Sequence, residues 1–263
     1  MKLVQSILTK NPCYTAGRKI TVKGLMLHSV GCNQPNAQAF IKNWNSASYN
    51  RACVHGFIDG NDGTVYQTLP WNHRGWHAGG SANNTHIGVE MCEPACIKYT
   101  GGSSFTCSDT AAAKAVAKRT YEAAVELFAM LCKEYGLNPL TDICSHKEGH
   151  VKGIASNHGD PEHLWKGLGT SYTMNTFRQA VKAKMSGTVG TSRPAGAPFL
   201  VRVSISNLNI RKGAGTNYAA TGRYTGKGVF TITEVKARKG SSAGWGRLKS
   251  GAGWISLDYA KRV

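Results

Sequence analysis

Between Ser186 and Pro198 the chain reads SGTVGTSRPAGAP, a run of small and polar residues broken by Gly and Pro. Such a stretch has almost no apolar surface to bury and behaves as a flexible linker. A single hydrophobic core cannot run through it. The 263 residues therefore divide into a segment 1–185, a linker 186–198 and a segment 199–263. In the first segment strand-like runs alternate with helix-like ones, which predicts a layered α/β or α+β domain. The second offers only short β runs between turn residues, FLVRVSI, LNIRKGAGTNY, GVFTITEV, WGRLKS and GWISLDYAKRV. No helical period appears there, so a small all-β domain is expected.

Within the first segment, Lys23-Gly24-Leu25-Met26-Leu27 is an apolar strand that ends at His28-Ser29. Asn36 is placed to cap a helix carrying Phe40, Ile41 and Trp44 at helical spacing. CVHGFID and TVYQTLP flank the turn-forming GNDG and read as a hairpin. The stretch WNHRGWHAGGSANN is rich in Gly and Asn and reads as a surface loop. It carries Trp71, Trp76 and His77, which could face a ligand. HIGVEMCE follows as a buried strand with one carboxylate, Glu90. After a loop through Gly101 and Gly102, Asp109 opens the longest helix, from about Thr110 to Tyr135, and Gly136 stops it. A last helix runs from about Met174 to Met185.

Ser145 to Trp165, SHKEGHVKGIASNHGDPEHLW, holds four of the nine histidines. It reads as a long loop, and long loops inside compact domains are usually functional or disordered. A hydrolytic zinc centre needs three protein ligands and one open position, and imidazole and carboxylate donors from distant strand ends and loops meet that need. His28, where one apolar strand stops, His146, after another apolar step, and Asp160 form the candidate set. By residue type alone, His150, His158 and His163 remain rivals. A buried carboxylate without compensation is costly, so Glu90 is expected to be paired or to sit in a cleft, where it could act as a base.

Net charge is +18, and segment 199–263 contributes +10 of it, with twelve Lys or Arg against Glu234 and Asp258. This predicts attraction to polyanions: nucleic acid, acidic lipid or the anionic polymers of a bacterial wall. No apolar run is long enough for a transmembrane helix, so no membrane insertion is expected. MKLVQSILTKNP lacks the apolar core and cleavage site of a signal peptide, so synthesis in the cytoplasm is expected. All eight cysteines lie between Cys13 and Cys144. Reduced core thiols are the leading expectation, ahead of a disulfide among Cys92, Cys96 and Cys107. A second metal site comes last, because no pair has zinc-finger spacing.

LMLHSV, FIDGNDGTVYQ, WHAGG-SANNTHIGVE and SHKEGHVKGIASNHGDPEH, in this order, resemble the type 2 zinc-dependent N-acetylmuramoyl-L-alanine amidases of the peptidoglycan-recognition-protein family. The resemblance covers about residues 20 to 185. It implies a mixed central sheet flanked by helices, a zinc cleft, and peptidoglycan as substrate. It places the zinc ligands on His28, His146 and Asp160, the family's glutamate on Glu90, and an oxyanion-stabilising group on His158. In the loop WNHRGWHAGGSANN, Trp71, Trp76, His77 and Asn84 are the candidates for substrate binding. The motifs LNIRKGAGTNY, GVFTI and WGRLKSGAGWISLDYAKRV resemble bacterial SH3-like wall-binding domains, with Tyr218, Tyr224, Trp245 and Trp254 as candidates for a binding face. The alternative for the two tryptophans is that they anchor the core of so small a domain.

The expected function is hydrolysis of the amide bond between N-acetylmuramic acid and L-alanine, as in an endolysin acting on a Gram-positive wall after release. Three alternatives stand beside it. They are a non-catalytic peptidoglycan binder, a nucleic-acid-binding protein, and a cysteine peptidase using Cys32 or Cys53. The second is disfavoured because the aromatics do not interleave with basic residues in a nucleic-acid motif.

Overall fold

The structure, a computed structural model, describes residues 1–186, 198–236, 240–241 and 243–263. It divides into two compact units, Met1–Gly190 and Thr191–Val263. Residues 187–197 of the expected linker lie outside the described residues.

The first unit is built in chain order from β1 (Leu3–Gln5), α1 (Pro12–Thr15), β2 (Gly24–Ser29), α2 (Ala37–Trp44), β3 (Gly56–Ile58), β4 (Val65–Gln67), β5 (His86–Met91), β6 (Ile97–Gly101), β7 (Ser104–Cys107), α3 (Thr110–Tyr135), β8 (Ile143–Ser145), α4 (His146–Val151), α5 (Glu162–Gly167) and α6 (Met174–Met185). Six strands form one mixed sheet in the order β1-β4-β3-β5-β2-β8. β3 and β4 are the antiparallel hairpin expected around GNDG, and β2 lies parallel between β5 and β8.

Every residue of β2 is buried, because both faces of the sheet are covered, and parallel central strands read as near-continuous apolar runs for this reason. Leu25 and Leu27 point to the face where α3 and α6 pack, joined there by Ile87, Val89, Phe128, Leu131 and Phe177. Met26 points to the other face, against Ala78, Ala82 and Cys144. The period of two then sends His28 to that second face as well. α3 owes its ends to local chemistry. The Asp109 carboxylate accepts from the Ala112 N–H at 2.9 Å, and Gly136 stops the helix in the left-handed region at φ 65°. The Asn36 side chain likewise caps α2.

Two expectations are corrected. Ser145–Trp165 is not one loop, because it contains α4 and most of α5. A capping box between Ser145 and Glu148 starts α4, and the spacing Ser-x-x-Glu spells it in the sequence. The segment through Gly101 and Gly102 is the turn of a separate two-stranded hairpin, β6–β7.

The second unit contains β9 (Phe199–Val203), β10 (Asn209–Arg211), β11 (Ala220–Tyr224), β12 (Gly228–Lys236), β13 (Trp245–Leu248), β14 (Trp254–Ser256) and β15 (Ala260–Arg262). They form one sheet in the order β11-β10-β14-β13-β12-β9-β15, wrapped around Val201, Val203, Ile210, Ile232, Leu248 and Ile255. Trp245 and Trp254 are buried against Ala214, so of the four aromatics singled out for a binding face only Tyr218 and Tyr224 are exposed. Lys236 Nζ sits 5.0 Å over the Trp254 ring, which holds a cation at that tryptophan. Replacing Asp109 by Ala removes the α3 cap and should cost about 1 kcal/mol, read as a lower denaturation midpoint with an unchanged slope.

Candidate metal centre

The strand registers assemble the site. Parallel pairing sets His28 beside Glu90 on β5 and Leu27 beside Ser145 on β8. The next residue, His146, therefore stands level with His28 as the first residue of α4. Asp160 closes the group from the chain before α5. His28 Nδ1 lies 3.2 Å from Asp160 Oδ2, His146 Nδ1 lies 3.1 Å from His28 Nδ1, and His146 Nδ1 lies 3.7 Å from Asp160 Oδ1. All three residues are buried, and their donor atoms fall within 4.8 Å of one another.

The surrounding hydrogen bonds decide which ring nitrogens carry protons. His77 Nε2 donates to the His86 carbonyl at 3.0 Å, so His77 Nδ1 is an acceptor. Its partner at 3.0 Å is His28 Nε2, which must carry the hydrogen. The Ser156 hydroxyl donates to the Ala78 carbonyl at 3.2 Å and accepts from His146 Nε2 at 3.1 Å. Both ligand histidines are thus held with N–H at Nε2 and a bare Nδ1. Two lone pairs and a carboxylate then converge on one point, an arrangement that repels itself unless a cation sits there. The donor set, two imidazoles and one carboxylate, suits a divalent metal such as zinc with an open fourth position.

Without a metal, a proton takes the cation's place. Burial works against charge on His28, but the Asp160 hydrogen bond and the charges of Glu90 and Asp160 outweigh it and raise its pKa. Burial and the neighbouring His28 push His146 down to about 4, so the proton belongs to His28. Asp160 is held below the usual carboxylate range: burial opposes ionisation, but the hydrogen bond and charge of His28 prevail.

Glu90 is pushed up to about 8, mainly by burial, with His28 opposing and the charges of Asp160 and Glu93 adding. Its Oε2 is buried and has no hydrogen-bond partner among the described residues. Three residues on, Glu93 is fully buried. It accepts from the Tyr99 hydroxyl at 2.6 Å and from the Gly31 N–H at 3.2 Å. His158 Nδ1 lies 3.1 Å from His146 Nε2 and 3.0 Å from Ser156 Oγ, which leaves its Nε2 for a ligand.

A family model described as N-acetylmuramoyl-L-alanine amidase matches residues 17–163, more than half of the chain. The chain belongs to this amidase family. Two Bacillus subtilis amidases are similar over a shorter stretch. XlyA is 37% identical over 79 residues and CwlH 35% over 80, each covering 29% of this chain. The matches span only 25% of XlyA and 30% of CwlH. Among solved structures, Staphylococcus aureus hydrolase AmiA, determined in complex with its ligand, is 20% identical with a TM-score of 0.53, over 72% of this chain and 87% of that one. The PlyG catalytic domain is 18% identical with a TM-score of 0.50, over 74% of this chain and 99% of that one. At these identities the two structures bear on the fold alone.

Of the residues singled out in the sequence, His28, His146 and Asp160 come together, with Glu90 and His158 beside them. The rival His150 is exposed on α4, and His163 is taken up by the Tyr99 hydroxyl at 2.6 Å. Trp71, Trp76, His77 and Asn84 do not form one surface. Trp71 packs on the main core, Trp76 is 47% exposed, and Asn84 accepts from Arg74 Nε at 2.7 Å. His77 is buried with both ring nitrogens engaged, so it supports His28 from behind. Sequence reasoning missed Asn83, whose Oδ1 accepts from the His77 and Ala78 N–H groups at 2.8 and 2.9 Å. It also missed Tyr99 and Ser156. No helix, strand or turn pattern marks these residues, because each is defined by a side-chain contact that the path of the folded backbone sets.

Two outcomes follow from this geometry. Metal uptake must displace the His28 proton, so below the raised pKa of that imidazole the apparent zinc affinity should fall about tenfold per pH unit. Calorimetry in buffers of different ionisation enthalpy would register the released proton. Replacing His77 by Ala removes the acceptor that fixes the His28 tautomer and should weaken zinc binding roughly 10–100-fold, measured by competition with a chromophoric chelator.

Proposed function

We propose that the chain is a zinc-dependent N-acetylmuramoyl-L-alanine amidase that hydrolyses the amide between the muramoyl lactyl group and L-alanine of peptidoglycan. Family membership supports the reaction class. The observation that carries the metal is the pair of Nδ1 atoms, 3.1 Å apart, converging with the Asp160 carboxylate in a buried group. Bound there, zinc would supply Lewis acidity, polarising the scissile carbonyl and bringing the pKa of a water to about 7.

The chain's own groups would do the rest. His28, His146 and Asp160 hold the metal, and their hydrogen-bonded surroundings keep them from turning away. Glu90 has an unpartnered buried oxygen and a proton affinity tuned upward, which suits a group that takes a proton from the attacking water and hands it to the leaving amide nitrogen. His158, with Nδ1 engaged, presents Nε2–H as a donor to the carbonyl oxygen as that oxygen becomes negative. Trp76 is exposed on the WHAGG segment and available to a glycan or stem peptide.

The second unit is proposed as an SH3-like module that holds the enzyme on the wall, with Tyr218 and Tyr224 as its exposed aromatics. Its net +10 favours anionic wall polymers, and tethering raises the local concentration of substrate. The biological role that accords with these parts is that of a lytic enzyme acting on a Gram-positive wall after release.

The decisive experiment measures bound zinc together with release of soluble muropeptides from purified walls. His28→Ala, His146→Ala and Asp160→Asn should each lose most of their zinc and their lysis. Full zinc with retained lysis in any of them sinks that ligand. Glu90→Gln should keep zinc and lose about 10²–10⁴-fold in turnover. Unchanged turnover would refute the base. A wild-type chain that binds walls and zinc but releases nothing would instead be a peptidoglycan receptor.

A further inference from the structure

Cys13 and Cys53 lie forty residues apart in sequence and side by side in the fold. Among the described residues they are the sulfur-bearing part of a small buried cluster with Leu69, flanked by Tyr14. Cys13 is 8% exposed and Cys53 fully buried. Their backbones are pinned together by a third side chain. Asn11 is itself buried, and its Oδ1 accepts from the Cys13 N–H at 2.9 Å. Its Nδ2 donates to the carbonyl of Ala52, the residue before Cys53, at 3.3 Å, and to that of Trp44 at 3.1 Å. Cys53 is held from its other side by a bridge to Trp76, with N···O distances of 2.9 and 2.8 Å. One amide thus sets α1 against the segment leading into β3, and the two cysteines share one buried cluster.

The surroundings divide the roles of the pair. The Cys53 S–H donates to Cys13, and the guanidinium charges of Arg74 and Arg18 add to that donation. Together they overcome burial and bring the Cys13 thiol down to about 7. Cys53 is shifted the opposite way, by the same hydrogen bond, by burial and by the charge of its partner. The Arg18 carbonyl accepts from the Arg74 N–H at 2.8 Å, which keeps the two cationic residues together. A partly ionised thiol with a narrow opening to solvent, backed by a fully buried thiol, is the arrangement of an attacking and a resolving cysteine.

We propose that Cys13 and Cys53 form a disulfide when the chain meets a hydroperoxide, stapling α1 to the entrance of the β3–β4 hairpin. The Cys13 thiolate attacks one oxygen of hydrogen peroxide and the O–O bond breaks. This gives the Cys13 sulfenic acid, and the released hydroxide takes a proton to become water. The Cys53 sulfur then attacks the Cys13 sulfur, the S–S bond forms and the S–O bond breaks. The departing hydroxide takes the Cys53 proton and leaves as a second water. Two thiols lose two electrons in all, and one peroxide gains them. A small oxidant is required because so little of Cys13 reaches the surface. The staple closes a loop of about forty residues, and a cross-link across a loop of that length constrains the unfolded chain strongly.

The test uses the full chain, treated with hydrogen peroxide, denatured, alkylated and digested. The expected result is a reducible peptide linking Cys13 to Cys53. A Tm rise of roughly 5–10 °C should accompany it and be abolished by dithiothreitol. Alkylation of both residues after treatment would overturn the proposal. So would cross-linking confined to Cys96 and Cys107, the other thiols in contact. A Tm rise that persists in Cys13→Ser would assign the stabilisation to another pair and overturn the staple.

Discussion

Parallel pairing of β2 with β5 on one side and β8 on the other is the constraint on which the candidate centre depends. It fixes three functional positions at once. His28 and Glu90 become neighbours across two strands, and His146 is delivered to the same level one residue after β8 ends. Parallel strands need long crossover connections, so the three residues are remote in sequence. The sheet can hold this register because both of its faces are covered. On one face α3 and α6 bury Leu25, Leu27, Ile87 and Val89, and a slip of one residue would turn those side chains away from the helices. The same alternation puts His28 on the face away from α3.

Around that frame, hydrogen bonding converts a cluster of imidazoles into directed ligands. Each ligand histidine is gripped at Nε2, His28 by His77 and His146 by Ser156. His77 is in turn gripped by the His86 carbonyl and positioned by Asn83. These partners set protonation as well as position, so the lone pairs meet at one point and a proton substitutes for the metal. Glu90 stands apart from this grip, with a buried oxygen that has no partner among the described residues. That is costly for a structural residue and suits one that exchanges protons.

The candidate site was partly legible in the sequence. His28 at the end of an apolar strand, Asp160 before a proline, and Glu90 in a buried strand could all be singled out, and the family resemblance separated His146 from its rivals. His77 was assigned to substrate because it lies in a Gly- and Asn-rich stretch. Its burial follows from the approach of that stretch to the bare backbone of Gly88, where a side chain would collide with the His77 ring. Sequence leaves Trp245 and Trp254 open between core and binding face, and a seven-stranded sheet with a small core draws both inside.

The sequence by itself determined what short-range forces control. It set the ends of α3 at Asp109 and Gly136, the α2 cap at Asn36, the β3–β4 hairpin, and the charge excess of the second segment. Caps, turns and hydrophobic periods act over a few residues, so their signals are written locally. Only the tertiary structure decided the tautomers of His28 and His146, the supporting roles of His77, Asn83, Ser156 and Tyr99, and the meeting of Cys13 with Cys53. Each of these depends on which distant group lies within about 3 Å, the range of a hydrogen bond, and packing of the sheet and its helices sets that distance.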